Sequence, residues 1–141
     1  MKFENIAEQV YEFHKKFEPV THVTDPEDPY CQRLTPEQIR FRKEFQLEEF
    51  VELMNAFRNG DDEEIVDALI DTIWVALGTL LMHYGVDVYN EAAKAVFEAN
   101  MAKELPEEGG LKIRKPQGWL SPDMYSIIER FYNRMEESHA N

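Results

Sequence analysis

The sequence predicts an all-α protein, an antiparallel bundle of four to five helices, and three observations support this fold class. Apolar residues recur at helical spacing in separate segments, helix-start signals precede several of them, and the connections between the central helices are short. Short connections place consecutive helices side by side in antiparallel pairs. A chain of 141 residues suffices for one domain with a sizeable core, so we expect a single domain over residues 1–141.

The first helix is predicted from about Phe3 to Phe17, where apolar residues follow helical spacing and Pro19 ends the pattern. Residues 19–34 contain prolines and several acids and predict a long loop. Long loops in compact domains are usually functional or mobile.

The second helix has the clearest local signals of the chain. Thr35 is a typical capping residue, Pro36 suits the first helical position, and Gln38 completes a capping box. The helix is predicted to reach about Phe57 and to end at Gly60, a residue typical of helix C-termini.

The remaining chain predicts two further core helices and a last one. Acidic residues open a helix over about 61–84, since negative charge is favourable at a helix N-terminus. A third core helix follows over about 87–103, and the prolines and glycines of residues 105–121 predict a second long loop. The last helix is expected over about 121–135.

Composition excludes several classes of function. The net charge of -13 argues against a nucleic-acid-binding surface, which normally needs a basic patch. The apolar stretch 68–84 is short for a membrane span and contains Asp71, so we expect no membrane partner. Cys31 is the single cysteine and no secretory signal is visible, so we expect a cytoplasmic protein.

Two acidic segments carry the functional prediction. Glu48 and Glu52 lie four residues apart, as do Asp67 and Asp71, so each pair lies on one face of its helix. If the chain folds back near Gly60, Glu52 lies opposite Asp67 and Glu48 lies opposite Asp71. The carboxylates of both helices would then face one another.

Facing carboxylates repel strongly unless protons or cations intervene, and an oxygen-rich pocket suits Mg²⁺ or Mn²⁺. Asp71 is the only formally charged residue between positions 68 and 84. One such acid could instead lie at the edge of an apolar face and pair with a basic residue. Several acids in register favour a metal site, and the candidate ligands are Glu48, Glu49, Glu52, Asp67 and Asp71.

Three segments resemble the all-α nucleoside triphosphate pyrophosphohydrolases, which include MazG-like enzymes and phosphoribosyl-ATP pyrophosphohydrolase. Residues 48–53 resemble the EExxE helix of that superfamily, and residues 67–78 resemble its second acidic helix. Residues 99–103 together with 115–122 resemble its closing substrate segment. The likeness covers about residues 35–122, and the three segments together are specific at the superfamily level.

The resemblance implies Mg²⁺-dependent cleavage of a nucleoside triphosphate to the monophosphate and pyrophosphate, with Mn²⁺ as a substitute ion. It also implies homo-dimers or homo-tetramers with sites partly built from neighbouring subunits. Many members carry a Glu three residues before the final Asp, where this chain has Ala68. Asp67, one turn before Asp71, is the substitute that we expect.

Glu49 is the candidate catalytic residue. Phosphoryl transfer needs charge neutralisation and positioning, and a Glu not fully engaged by metal could accept a proton from the attacking water. Candidates for substrate binding cluster at the end of the third core helix and in the following loop: Asn100, Lys103, Lys112, Arg114, Lys115 and Trp119. Each also has a structural interpretation. Asn100 and Lys103 could be a solvated helix end, the three loop cations could simply be solvated, and the Trp119 indole could dock the loop onto the bundle. Arg40 and Arg42 are weaker candidates for phosphate contacts.

Rival interpretations stay open. The same scaffold could hydrolyse phosphoribosyl-ATP or another nucleotide diphosphate, or it could be a non-catalytic module that binds a nucleotide or a partner protein. The spacing of Glu136 and His139 occurs in di-iron bundles, but it occurs once here and near the end of the chain. His83 is expected to be a core or helix-end residue.

Overall fold

The computed structural model describes residues 1–17 and 33–140. Within these ranges the chain forms no strand, which confirms the all-α class, and its four helices are α1 (Ile6–Phe17), α2 (Pro36–Asn59), α3 (Asp62–Met101) and α4 (Met124–Ala140). The predicted loop at 19–34 lies outside the described residues, except for positions 33 and 34, and Cys31 lies outside them as well.

The chain divides into two compact units, Met1–Gly85 and Val86–Asn141, and α3 contributes to both. At the boundary Gly85 leaves the helical conformation, with φ 84° and ψ 178°. Glycine adopts positive φ without the steric penalty of a Cβ atom. This break agrees with the prediction that one core helix ends near Gly85 and another begins shortly after it.

Both ends of α2 are capped as the sequence predicts. The Thr35 hydroxyl accepts a hydrogen bond from the Gln38 backbone N–H at 3.2 Å, and the Gln38 amide oxygen accepts one from the Thr35 N–H at 2.8 Å. At the other end Gly60 has φ 64° and its N–H donates to the carbonyl of Ala56 at 3.0 Å. An N-cap of the Thr35 kind stabilises a helix by about 1 kcal/mol.

Side chains of α2 fix its position against the first half of α3. The Gln46 amide donates to the Thr72 carbonyl at 3.2 Å. Arg42, further from the turn, donates to the Val75 carbonyl at 2.7 Å and to the Thr79 hydroxyl at 2.9 Å. The two helices are therefore antiparallel, as expected for a chain that folds back near Gly60.

Arg42 is buried rather than displayed for phosphate binding, with 8% of its surface exposed. Arg42 was a weaker candidate for a phosphate contact, and in the structure two of its donors bond to groups of α3. A buried guanidinium needs such partners, because an unpaired buried charge is costly.

Gly78 of α3 lies against side chains of both α1 and α2. A Cβ atom at this position would lie 2.5 Å from His14 Nε2 and 2.6 Å from Arg42 Nη2. Phe13 of α1 also packs edge-on against Trp74, with ring centroids 5.7 Å apart. A side chain at position 78 would therefore displace the ends of the His14 and Arg42 side chains.

In the second unit, Ile127 and Phe131 of α4 and Val88 of α3 are buried. Glu91 accepts a hydrogen bond from Arg130 at 2.5 Å. The helix α4 continues to Ala140, so the predicted end near position 135 is wrong. No proline or glycine follows position 135, and nothing in the local sequence stops the helix there.

Of the described helices, α3 alone is long and apolar enough to cross a membrane by length and composition. Core helices of soluble proteins pass the same test, and 28% of its most apolar window is buried within the structure. The internal acids and the break at Gly85 are atypical of a membrane span.

Candidate active site

Glu49 is the most buried acid of the two acidic segments. It lies on the face of α2 that also buries Leu53 and Ala56, and only 9% of its surface is exposed. Its Oε2 atom is buried and accepts no hydrogen bond from residues 1–17 or 33–140. An ionised carboxylate in such a place is costly unless a proton or a cation compensates its charge.

The acids of both segments act on Glu49. Burial raises the pKa of Glu49, and the charges of Asp71, Glu52, Glu48 and Asp67 raise it further, in that order. The pKa of Asp71 is raised as well, first by burial and then by the charge of Asp67. The structure thus brings the acids of α2 and α3 close enough to repel one another, with Glu49 at their centre.

Two cavities flank these acids. The larger, of about 730 Å³, is lined by Glu52 and Asp67 and by three polar residues that the sequence analysis did not select as ligands: Asn55, Glu63 and Glu64. The other, of about 460 Å³, is lined by Glu48 and Glu52 with Glu44, Leu47 and Val51. Asn55 could have been selected from the sequence as a candidate site residue, because it lies three positions after Glu52 and therefore shares its helix face.

The donor atoms fit a divalent cation, although they are not preorganised for one. Among the residues that the structure describes, no group of three or more His, Cys, Asp or Glu side chains is arranged to hold a metal ion. The available donors are hard oxygen atoms, which suit Mg²⁺ and Mn²⁺, and Glu49 Oε2, which pairs with no residue in the described part of the chain, offers one of them. Glu48, Glu52 and Asp67 are exposed, so packing does not fix their carboxylates.

The second unit brings together the candidates for substrate binding. The Trp119 indole N–H donates to the Ala99 carbonyl at 2.7 Å. This bond fastens the loop of residues 105–121 to the end of α3. The ammonium groups of Lys103 and Lys115 lie 5.3 Å and 4.7 Å from the centroid of the Trp119 ring. Lys103 also donates to the Asn100 side chain at 2.8 Å.

Arg114 holds the loop of the second unit in shape. Its backbone pairs with Glu104 through two hydrogen bonds of 2.9 Å. Its guanidinium donates to the Leu105 carbonyl at 3.0 Å and lies 3.6 Å from Glu104 and 3.8 Å from Glu107. The resulting cavity of about 660 Å³ is lined by four basic residues, Lys103, Lys112, Arg114 and Lys115, and one acid, Glu107.

Comparison with known proteins decides the family. Residues 10–100 match the family model described as phosphoribosyl-ATP pyrophosphohydrolase. The chain belongs to this family. Membership confirms the superfamily that the three segments resemble, and it indicates a nucleotide pyrophosphohydrolase. The match includes all five candidate metal ligands. It ends at Asn100, before the loop of residues 105–121 that contains Lys112, Arg114 and Lys115. A search of curated proteins found no match to the chain.

Proposed function

We propose that this protein hydrolyses nucleoside triphosphates to the monophosphate and pyrophosphate in a reaction that depends on Mg²⁺. One observation carries the proposal. In a chain of a pyrophosphohydrolase family, Glu49 is buried, no described residue donates a hydrogen bond to its Oε2, and four further acids surround it. An enzyme that cleaves phosphoanhydrides needs such a cation-binding cluster to approach its anionic substrate.

The acids of α2 and α3 have two proposed roles, metal binding and proton transfer. Glu48, Glu49, Glu52, Asp67 and Asp71 would hold the metal. When bound, Mg²⁺ or Mn²⁺ neutralises phosphate charge and orients the phosphate oxygens. Glu49, to the extent that the metal leaves it free, would accept a proton from the attacking water. Water adds at the α-phosphorus, the bond to the β-phosphate bridging oxygen breaks, and pyrophosphate leaves.

The basic residues around the cavity of the second unit are proposed to bind substrate. Lys112 and Lys115 line that cavity, and neither forms an ion pair with a described residue. Lys103 also lines the cavity and donates a hydrogen bond to the Asn100 side chain, and the ammonium groups of Lys103 and Lys115 lie over the Trp119 ring. In so acidic a chain, a cluster of cations is the feature that attracts polyphosphate.

Phosphoribosyl-ATP is the second candidate substrate, because the matching family is named for it. The test is a screen for pyrophosphate release over the eight common nucleoside triphosphates and phosphoribosyl-ATP, with product identification. We expect turnover of one or more triphosphates with Mg²⁺. Turnover of phosphoribosyl-ATP alone would assign the second substrate. Binding of nucleotides without any turnover would support the non-catalytic module.

We also propose that the protein is a homo-dimer or homo-tetramer. Large apolar side chains are exposed at helical spacing on α2 and on the first half of α3: Leu47, Phe50, Val51, Met54 and Phe57, and Val66, Leu69, Ile70 and Ile73. Monomeric proteins rarely expose such continuous apolar stripes, and a second copy would cover them. Light scattering after gel filtration should show more than one copy, and Phe50→Glu should shift the mass towards the monomer. A monomeric wild-type protein would contradict the proposal.

A further inference from the structure

The larger cavity beside the acids, of about 730 Å³, lies near the turn that joins α2 to α3, and we name it the turn cavity. Its lining consists of four acids, one amide and one methyl group: Glu52, Glu63, Glu64, Asp67, Asn55 and Ala68. All of these residues belong to the first unit. Because Glu52 and Asp67 are also proposed metal ligands, the turn cavity and the proposed metal site share two residues.

Asn55 supplies the turn cavity with hydrogen-bond donors. Ionised carboxylates accept hydrogen bonds but do not donate them, and the Ala68 side chain does neither, so among the described lining residues only the Asn55 side chain carries N–H groups. Within the described parts of the chain this amide forms no hydrogen bond, and the residue is exposed. Both N–H groups of Asn55 are therefore available to a ligand in the cavity.

Asn55 has a fixed place relative to Glu52. The two residues lie three positions apart on one face of α2, which separates their Cβ atoms by about 5–6 Å. The backbone is held at this end of the helix, because the carbonyl of the buried Ala56 accepts a hydrogen bond from the capping Gly60 N–H at 3.0 Å. The Asn55 amide thus lies about one helical turn from a proposed metal ligand and lines the same cavity.

A polyphosphate in the turn cavity would need a donor as well as a cation. Metal ions neutralise phosphate charge, but a phosphate oxygen that contacts no metal would face carboxylates, which repel it. An N–H donor replaces that repulsion by a hydrogen bond to an ionised group, which is stronger than a bond between neutral groups. We propose that the Asn55 amide donates a hydrogen bond to a phosphate oxygen of the substrate and thereby orients the polyphosphate. This inference rests on the proposed function, because the acids supply the metal-binding part of the site.

The hydrogen bond can be observed without turnover, and without a base or a sugar. In nitrogen-labelled protein with Mg²⁺, inorganic tripolyphosphate should shift the side-chain N–H signals of Asn55 in NMR spectra, while those of Asn133, an exposed residue of α4, stay in place. The Asn55→Ala spectrum assigns the signals. The same shift with Mg²⁺ alone would make Asn55 a metal ligand, and a shift only with a nucleoside triphosphate would make it a contact of the sugar or base. Either result, or no shift at all, would overturn the inference.

A second measurement compares Asn55→Ala, which removes the donor, with Asn55→Asp, which keeps the shape and replaces the donor by a charged acceptor. We expect KM for a triphosphate to rise about tenfold in the first variant and further in the second, with calorimetric Mn²⁺ binding by Asn55→Ala unchanged. Asn133→Ala is the matched control, and thermal melts establish that all variants fold. An unchanged KM in either Asn55 variant, or loss of Mn²⁺ binding by Asn55→Ala, would overturn the inference. If the wild type hydrolyses no triphosphate, the proposed function fails, and the NMR measurement alone decides the role of Asn55.

Discussion

The carboxylates of Glu49 on α2 and Asp71 on α3 repel each other across an antiparallel pair of helices. After burial, Asp71 makes the largest contribution to the raised pKa of Glu49. Two acids on neighbouring helices persist in such an arrangement only if a proton or a cation offsets the repulsion. This relationship connects the sequence pattern with the proposed metal site.

Glu49→Gln should lower turnover by about 10²–10⁴-fold while nucleotide binding stays largely intact, because the variant keeps the shape of the side chain and loses its basicity. Steady-state pyrophosphate release and calorimetry with a nucleotide measure the two effects. Glu129→Gln removes an exposed acid of α4 and serves as the matched control. Full activity of the Glu49 variant would remove Glu49 from the catalytic role.

Gly78→Ala should destabilise the protein by about 1–3 kcal/mol, because the new methyl group would overlap with His14 and Arg42. At an unhindered helical position the same change stabilises by about 0.5–1 kcal/mol, so the sign of the effect is diagnostic. Urea denaturation measures it. The cost should shrink when His14 is replaced by Ala. A stabilising Gly78→Ala would show that the three helices do not meet as closely as described.

His83 should make the protein less stable in mild acid. Burial lowers the pKa of His83 from its ordinary 6.5, and the charge of Arg33 lowers it further. Its Nδ1 accepts a hydrogen bond from the Leu34 N–H at 2.9 Å, which requires a ring that is unprotonated at Nδ1. Below pH 6.5 the unfolded chain binds a proton that the folded state resists, so stability falls until the pH reaches the lowered pKa.

The comparison variant for this effect is His83→Asn, which keeps an acceptor near Nδ1 and does not titrate. Urea midpoints between pH 7.5 and 5 should diverge, with the wild type losing about 1.4 kcal/mol more than the variant for each unit by which the pKa is lowered. Parallel pH profiles would contradict a buried, neutral His83.

Trp119→Phe should loosen the loop of the second unit, because the variant loses the hydrogen bond to Ala99. We expect a cost of about 1 kcal/mol and faster amide exchange over residues 103–119. Hydrogen exchange followed by mass spectrometry resolves this segment. Trp74→Phe, which changes the other tryptophan, should leave exchange in the loop unchanged. Unaltered exchange in the Trp119 variant would show that the indole does not fasten the loop.

The sequence predicted the helix limits best where a local signal sets them. The capping box of Thr35 and Gln38, the left-handed Gly60 and the break at Gly85 all depend on residues within a few positions of one another. The end of α4 had no such signal, and its predicted limit was wrong. The packing of apolar residues such as Phe131 holds that helix, and a pattern along the chain does not reveal it.

The sequence predicted which acids come together, but it did not predict which of them is the most buried. Periodicity placed five acids on two facing helices, but it did not show that Glu49 is the one that becomes buried. The spacing of Glu49 could have indicated its burial. It lies seven residues after Arg42 and four before Leu53, and all three share the buried face of α2. The burial of Arg42 depends on contacts with α3, which are remote in sequence and were therefore missed.

Calorimetric titration of the metal-free protein with Mn²⁺ is the most direct test of the central claim, that the acids of α2 and α3 together hold a divalent cation. We expect the wild type to bind Mn²⁺ with micromolar to millimolar affinity and Asp71→Asn to lose that binding while it stays folded. Failure of the wild type to bind Mn²⁺, or equal binding by Asp71→Asn, would contradict the account.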